Sequence, residues 1–139
     1  MKKFSAILLA VVLLLTFTSS SAFAAGTTTL TVTTPQGGWN NPTSYYTNGQ
    51  FLLQWDQYNT DPSVTFDYYN IWIFRASDHT LVYNSGKTPQ SDPTSNSGFK
   101  IINGLPMNEK LYMYMAVYTS DGGYTLNDGG NVKAFILYP

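Results

Sequence analysis

Residue types that do acid–base or metal chemistry are scarce in this chain. It has one histidine, His79, beside Asp78, and no cysteine. A Ser-His-Asp arrangement needs a buried carboxylate that orients the imidazole, and a zinc site needs several His or Cys ligands. Asp78-His79 is typical of a tight turn between two strands, so we interpret His79 as an exposed turn residue.

The eight carboxylates lie mostly in predicted turns, where Asp accepts hydrogen bonds from the backbone. Glycoside hydrolysis needs two carboxylates that face each other across a cleft, and a small domain with its acids in turns seldom builds one. We therefore predict that the chain is not an enzyme and needs no cofactor.

One segment, residues 120–131, contains several side chains that could bind calcium. This segment places Asp121, Asn127, Asp128 and Asn131 among four glycines. Calcium takes six to eight oxygen ligands, including backbone carbonyls, but the spacing does not match an EF-hand loop. We interpret the segment as two glycine-rich turns and predict no metal site.

Aromatic side chains form the strongest candidate site. Two predicted strands, 66–76 and 110–119, each alternate between two faces with a period of two. One face is aliphatic apart from Tyr69 and suits a core. The other face carries Trp72, Phe74, Tyr112, Tyr114 and Tyr118. This face either lies outside as an exposed aromatic surface, or it forms the core or is covered by a loop.

Three further aromatic residues, Trp39, Tyr45 and Tyr46, lie in the predicted loop 35–49. All three are candidates for the same ligand-binding surface, Trp39 foremost. The alternative, which we favour slightly, is that Trp39 folds back and closes one end of the domain.

An exposed row of Tyr and Trp can stack on sugar rings or become buried against a protein. The sequence thus predicts a secreted non-catalytic binding module that contacts an extracellular polysaccharide or cell-surface glycan. The alternative is a secreted protein-binding, adhesion, inhibitor or self-assembling matrix protein. We expect a monomer or a weak homo-oligomer.

The elements that position these residues are predicted to form an all-β domain. After residue 25 no sustained helical periodicity is present, and Thr, Tyr, Phe, Trp and Val favour strands. Turn signals recur about every 8 to 12 residues, which is typical of a β-sandwich. Seven strands are predicted, at 27–34, 51–58, 66–76, 81–84, 99–102, 110–119 and 132–138.

Residues 102–123, "INGLPMNEKLYMYMAVYTSDGG", resemble the E–F corner and strand F of fibronectin type III and related immunoglobulin-like modules. Trp55 in "FLLQWDQ" resembles the core Trp of strand B, and residues 68–83 resemble strands C and C′. The resemblance implies an immunoglobulin-like antiparallel sandwich. The chain departs from it at the tyrosine corner, because Tyr112 falls seven residues after Leu105 where the family usually has six.

The first 25 residues predict a secretory signal peptide of bacterial style. Lys2 and Lys3 precede an apolar run at 6–17, which is too short to span a bilayer, and the segment ends on a small-residue cleavage site at Ala24 or Ala25. Residues 26–139 then form one extracellular domain. Without Lys2 and Lys3 the seven basic residues become five, against eight acidic ones, and they are scattered, so we predict no binding to nucleic acid and no membrane insertion.

Overall fold

The computed structural model describes residues 26–139, which form a nearly all-β domain of two sheets facing each other. The predicted signal peptide, residues 1–25, lies outside the described residues. The strands are β1 (Thr28–Thr34), β2 (Thr43–Tyr46), β3 (Gln50–Asn59), β4 (Phe66–Arg75), β5 (Leu81–Asn84), β6 (Thr88–Pro89), β7 (Ser97–Asn103), β8 (Lys110–Thr119), β9 (Tyr124–Leu126) and β10 (Lys133–Tyr138).

One sheet has three strands in the order β1-β3-β7. The other has the order β2-β10-β8-β4-β5, with β6 paired to β4 and β9 paired to β8. All pairings are antiparallel except β2 with β10, which is parallel. Among residues 26–139 no helix is long and apolar enough to cross a membrane.

The core lies between the two sheets and is built from alternate residues of the long strands. In β3 the buried positions alternate with exposed ones along the whole strand. The aliphatic face predicted for β4 and β8 is the core face, and Tyr69 is buried with it. The side chains that fill the centre are Leu53, Trp55, Ile71, Ile73, Leu111, Met113, Met115, Phe135 and Leu137.

Each of the seven predicted strands has a counterpart, but the expected number is wrong because three further short strands are present. β6 pairs with part of β4, and β9 pairs with part of β8. β9 lies within the segment 120–131, which was predicted to form two glycine-rich turns. β2 lies inside the predicted loop 35–49, where it pairs with the C-terminal strand β10. Tyr45 of β2 points inward and packs edge-on against Phe51, with ring centroids 5.6 Å apart.

Trp55 packs directly on the backbone of β7 at a glycine, which has no side chain. Its ring lies where a Cβ atom on Gly98 of β7 would be, since such an atom would approach the ring carbon Cζ2 to 2.2 Å. The two residues face each other in the β3–β7 pairing. Glycine at position 98 therefore allows the largest core side chain to fit between the sheets.

We expect the Gly98→Ala variant to lose about 1–3 kcal/mol in the free energy of unfolding, because the added methyl group overpacks the Trp55 contact. Gly38→Ala is the matched control, since nothing lies within 4 Å of the added atom there. Urea denaturation of both variants measures the effect. Equal stability of the two variants would show that Trp55 does not pack on the β7 backbone.

Candidate functional site

The five predicted strand aromatics lie together on the outer face of the larger sheet. The β4–β8 register places Trp72 opposite Tyr114 and Phe74 opposite Tyr112. The sequence left open whether this face points outward or forms the core, and in the structure it points outward. We call the group Trp39, Trp72, Phe74, Tyr112, Tyr114 and Tyr118 the aromatic face.

Aromatic side chains on this surface partly cover one another. Tyr112 keeps 9% of its surface exposed, stacks on Phe74 at a centroid distance of 5.1 Å, and meets Tyr114 edge-on. At the far end of β8, the Lys87 ammonium lies 4.9 Å from the centre of the Tyr118 ring. The face is therefore a packed layer of half-buried rings.

Trp39 does not close an end of the sandwich, so the slightly favoured alternative is wrong. It is 41% exposed and lies with its ring edge-on to Tyr112, at 5.3 Å between centroids. The Lys110 ammonium is 4.0 Å from the centre of the Trp39 ring and also donates a hydrogen bond to the Trp39 carbonyl. This lysine holds the loop in place, and Trp39 joins the aromatic face.

His79 lies at the turn after β4 and is exposed, as the sequence predicted. It has a φ of 58°, in the left-handed region that His tolerates better than most residues. Its backbone N–H donates to the carbonyl of Arg75 at 3.0 Å. Its ring atom Nδ1 lies 3.0 Å from the Tyr112 hydroxyl oxygen, and the ring is roughly parallel to Trp39, at 6.4 Å between centroids.

An ion-pair cluster fixes the turn that carries His79. The Nε atom of Arg75 lies 2.6 Å from a Glu109 carboxylate oxygen, and a second guanidinium nitrogen lies 3.5 Å from Asp78. The hydrogen bond to Glu109 is the first cause that raises the pKa of Arg75. The pKa of Asp78 is lowered, first by the backbone N–H of Thr80. Both ends of the turn are thus tied to charged side chains.

The Tyr112 hydroxyl retains its proton at neutral pH. Burial raises the pKa of this hydroxyl above its usual value of 10.0, and the neighbouring Tyr114 raises it further. A protonated phenol can both donate and accept a hydrogen bond. Tyr112 can therefore contact either the neutral or the charged imidazole of His79 through Nδ1, which leaves Nε2 for a ligand.

The side-chain oxygens of Asp121, Asn127 and Asp128, in the segment 120–131, form contacts within the domain. The buried amide of Asn127 accepts a hydrogen bond from the Met115 N–H at 2.7 Å and donates to Asp128. The Asp128 carboxylate also lies 3.5 Å from the Lys133 ammonium. Asp121 instead accepts hydrogen bonds from Thr119 and Gly123 in a separate turn.

Comparisons with known proteins show only that the fold of this chain is similar to folds already known. No protein-family model and no curated protein matches the chain. The fold is similar to that of a superoxide reductase (neelaredoxin) variant from Ignicoccus hospitalis, with a TM-score of 0.50, 8% identity, and coverage of 82% of this chain and 83% of that one. A second superoxide reductase structure from this organism has a TM-score of 0.46, 7% identity, and coverage of 81% and 80%. An LPMO from Kitasatospora papulosa has a TM-score of 0.47 and 14% identity, over 73% of this chain and 53% of that chain.

These comparisons correct two expectations from the sequence. One was a non-catalytic binding module, with protein binding, adhesion, inhibition or self-assembly as its alternative; the other was that the chain is not an enzyme. The fold is similar to that of a protein named as an enzyme, a superoxide reductase. The small size of a β-sandwich therefore does not argue against catalysis. The expectation that the chain is not an enzyme was wrong because it relied on that size.

Redox chemistry on oxygen species relies on a metal or another redox cofactor, and the residues present do not fit a metal centre. The whole sequence has one histidine and no cysteine. Across residues 26–139 no group of three or more His, Cys, Asp or Glu side chains could hold a metal ion.

The raised pKa of Tyr112 predicts a loss of stability at high pH. The folded state binds the phenolic proton more tightly than the unfolded chain, so this contribution is complete below about pH 10 and is lost as the pH rises through the folded-state pKa. We expect the free energy of unfolding to fall as the pH rises above about 10, and to fall less in Tyr112→Phe. Burial also raises the pKa of Tyr69, which accounts for part of the remaining decrease.

Urea denaturation across this pH range measures the decrease in each protein. Tyr124→Phe, which removes a hydroxyl from a side chain that is 66% exposed, is the matched control. A Tyr112→Phe variant with the same pH dependence as the wild type would contradict the burial of this hydroxyl.

Proposed function

We propose that the chain is an acid–base catalyst whose proton-transferring group is the imidazole of His79. The single observation that carries the proposal is the 3.0 Å contact between Nδ1 of His79 and the Tyr112 hydroxyl, at an exposed surface lined by aromatic rings. Imidazole is the side chain used most often for proton transfer near neutral pH. A partner on one ring nitrogen orients the ring and leaves the other nitrogen to meet a substrate.

Tyr112 is a positioning residue in this proposal. When Nε2 takes a proton from a water molecule that attacks the carbonyl carbon of the substrate, the ring becomes an imidazolium with a proton on each nitrogen. The Tyr112 oxygen accepts the hydrogen bond from Nδ1–H in that state, which stabilises the charge. When Nε2 returns the proton to a leaving group, the same contact holds the ring in place.

The surroundings of His79 indicate the kind of substrate. The exposed ring of Trp39 offers an apolar surface that a ring-bearing substrate can contact, and the Lys110 ammonium over the face of this ring supplies a positive charge. A positive charge stabilises negative charge that develops on a carbonyl oxygen. The proposed substrate is therefore a ring-bearing ester or similar acyl compound, bound across Trp39.

Hydrolysis of 4-nitrophenyl acetate, a ring-bearing activated ester, tests the proposal. We expect the purified domain 26–139 to exceed an equal concentration of free 4-methylimidazole, and His79→Gln to lose at least about tenfold in kcat/KM. Tyr112→Phe should lose less, and its pH–rate profile should differ in shape from that of the wild type. Tyr124→Phe, on the same sheet but at the far end of β8, should keep the wild-type rate.

A wild-type rate no greater than that of free 4-methylimidazole would overturn the proposal. So would a His79→Gln variant that keeps the wild-type rate, because the reaction would then occur elsewhere on the protein.

We also propose that the sandwich is of the immunoglobulin-like type. Support comes from the strand order, in which β1, β3 and β7 correspond to strands A, B and E, while β4, β8 and β10 correspond to C, F and G. The buried Trp55 between the sheets supports the same assignment. The tyrosine corner is replaced, since Leu111 takes the inward position and Tyr112 points outward to His79.

Secretion of the domain is a further proposal, which rests on the charged start, apolar run and small-residue end of residues 1–25. Expression of the full chain in a bacterial host with purification from the medium should give a protein that begins at Ala25 or Gly26. Intact-mass measurement checks the result. A product found only in the cells, with Met1 and the apolar run still attached, would contradict cleavage.

A further inference from the structure

Two tyrosine side chains lie side by side at one edge of the larger sheet. Tyr46 is the last residue of β2 and Tyr138 is the last residue of β10, and the parallel register makes them direct partners. Their rings stack at a centroid distance of 5.6 Å, with an interplanar angle of 30°. Because Tyr45 and Leu137 point into the core, the alternation of side chains places both phenols on the outer face of this sheet.

Both rings can be reached from solvent and have room to turn. Tyr46 is 83% exposed, and Tyr138 is half-buried. β2 is an edge strand, and each tyrosine is the terminal residue of its strand, where the backbone can shift more easily than inside a strand. The two rings can therefore rotate from the stacked arrangement to one in which their edges meet.

We propose that Tyr46 and Tyr138 form an intramolecular dityrosine cross-link when a one-electron oxidant of phenols, such as a haem peroxidase with hydrogen peroxide, acts on the protein. Each phenol gives one electron to the oxidant and its hydroxyl proton to water, which leaves two phenoxyl radicals. The radicals join their Cε carbons in a new C–C bond. Each of these carbons then loses its hydrogen as a proton while the oxygen takes one up, so both rings become phenols again. The protein loses two hydrogen atoms, and one hydrogen peroxide is reduced to two water molecules.

Two other tyrosine pairs are less suited to this reaction. Tyr118 and Tyr124 are partners between β8 and β9, with ring centroids 6.1 Å apart. The Lys87 ammonium lies 4.9 Å from the centre of the Tyr118 ring, and a positive charge over a ring opposes the loss of an electron from it. Among the described residues, no lysine or arginine lies over either ring of the pair at the end of β2 and β10.

Tyr112 and Tyr114 form the other pair, with ring centroids 6.2 Å apart. They lie on one strand and meet edge-on, and Tyr112 keeps only 9% of its surface exposed. An oxidant in solution therefore reaches Tyr112 less easily than it reaches Tyr46.

The cross-link would tie together two parts of the sequence that lie far apart. The sequence has no cysteine, so no disulfide can do this within the chain. A bond between residues 46 and 138 closes most of the domain in one loop, which lowers the conformational entropy of the unfolded chain. We expect the cross-link to raise Tm by at least about 5 °C.

Treatment of the dilute purified protein with a haem peroxidase and hydrogen peroxide tests the proposal. We expect dityrosine fluorescence in a product that stays monomeric and is lighter by two hydrogen atoms. Cleavage after lysine and arginine releases the peptide 134–139, whose only tyrosine is Tyr138. Mass spectrometry should find this peptide joined to the one that contains Tyr46.

The protein variant is Tyr46→Phe, which keeps the exposed ring but cannot form a phenoxyl radical. It should lose both the cross-linked peptide and the rise in Tm. Tyr124→Phe, the matched control in the other exposed pair, should keep both. His79→Gln should form the cross-link as the wild type does, which separates this site from the proposed catalytic one.

A cross-link between Tyr118 and Tyr124 that leaves Tyr138 unmodified would overturn the proposal, and so would a cross-linked peptide 134–139 that persists in Tyr46→Phe. The absence of dityrosine in the oxidised protein would overturn it as well. Covalent dimers in place of the monomeric product at high dilution would show that the two rings do not lie together.

Discussion

The register between β4 and β8 is the constraint on which the rest of the structure depends. These two strands lie at the centre of the larger sheet and pair over their whole length. Because side chains alternate between faces, a slip of one residue would move the core residues of the slipped strand outward and its outward aromatic residues inward. The tyrosine hydroxyls of β8 would then be buried without hydrogen-bond partners. The aliphatic core and the outward aromatic face therefore depend on the same register.

The same register builds the candidate site. It brings Tyr112 next to the end of β4, where the turn to β5 begins, and the turn directs His79 over the Tyr112 ring edge. The Arg75 guanidinium, bonded to Glu109 just before β8, ties that turn to the neighbouring strand. Stability and chemistry therefore rely on one set of contacts, and a substitution that shifts either strand would disturb both.

Much of the fold could be predicted because its signals are local. The alternation in β3, β4 and β8 is visible within ten residues, and Trp55 and the aliphatic face follow from it. The parallel pairing of β2 with β10 joins the two ends of the domain, and no local pattern in residues 43–46 indicates it. The turns were therefore easier to recognise than the short strands added to the sheet edges.

The site was harder to predict because its contacts are distant in sequence. His79 and Tyr112 are 33 residues apart, and Lys110 and Trp39 are 71 residues apart. The sequence correctly grouped the aromatic residues, yet it gave His79 no partner because only the folded β4–β8 pair supplies one. The sequence argument looked for an acidic or metal partner of His79, and no local pattern indicates the Tyr112 hydroxyl as its partner.

The most direct test of this account is the environment of the imidazole in solution. Since the chain has a single histidine, a long-range proton–nitrogen NMR spectrum contains one set of ring signals. The account predicts that Tyr112→Phe shifts the Nδ1 resonance of His79 much more than the Nε2 resonance, because the hydroxyl contacts Nδ1 alone. Ring signals that are identical in the wild type and in Tyr112→Phe would show that His79 does not contact Tyr112, and would contradict the account.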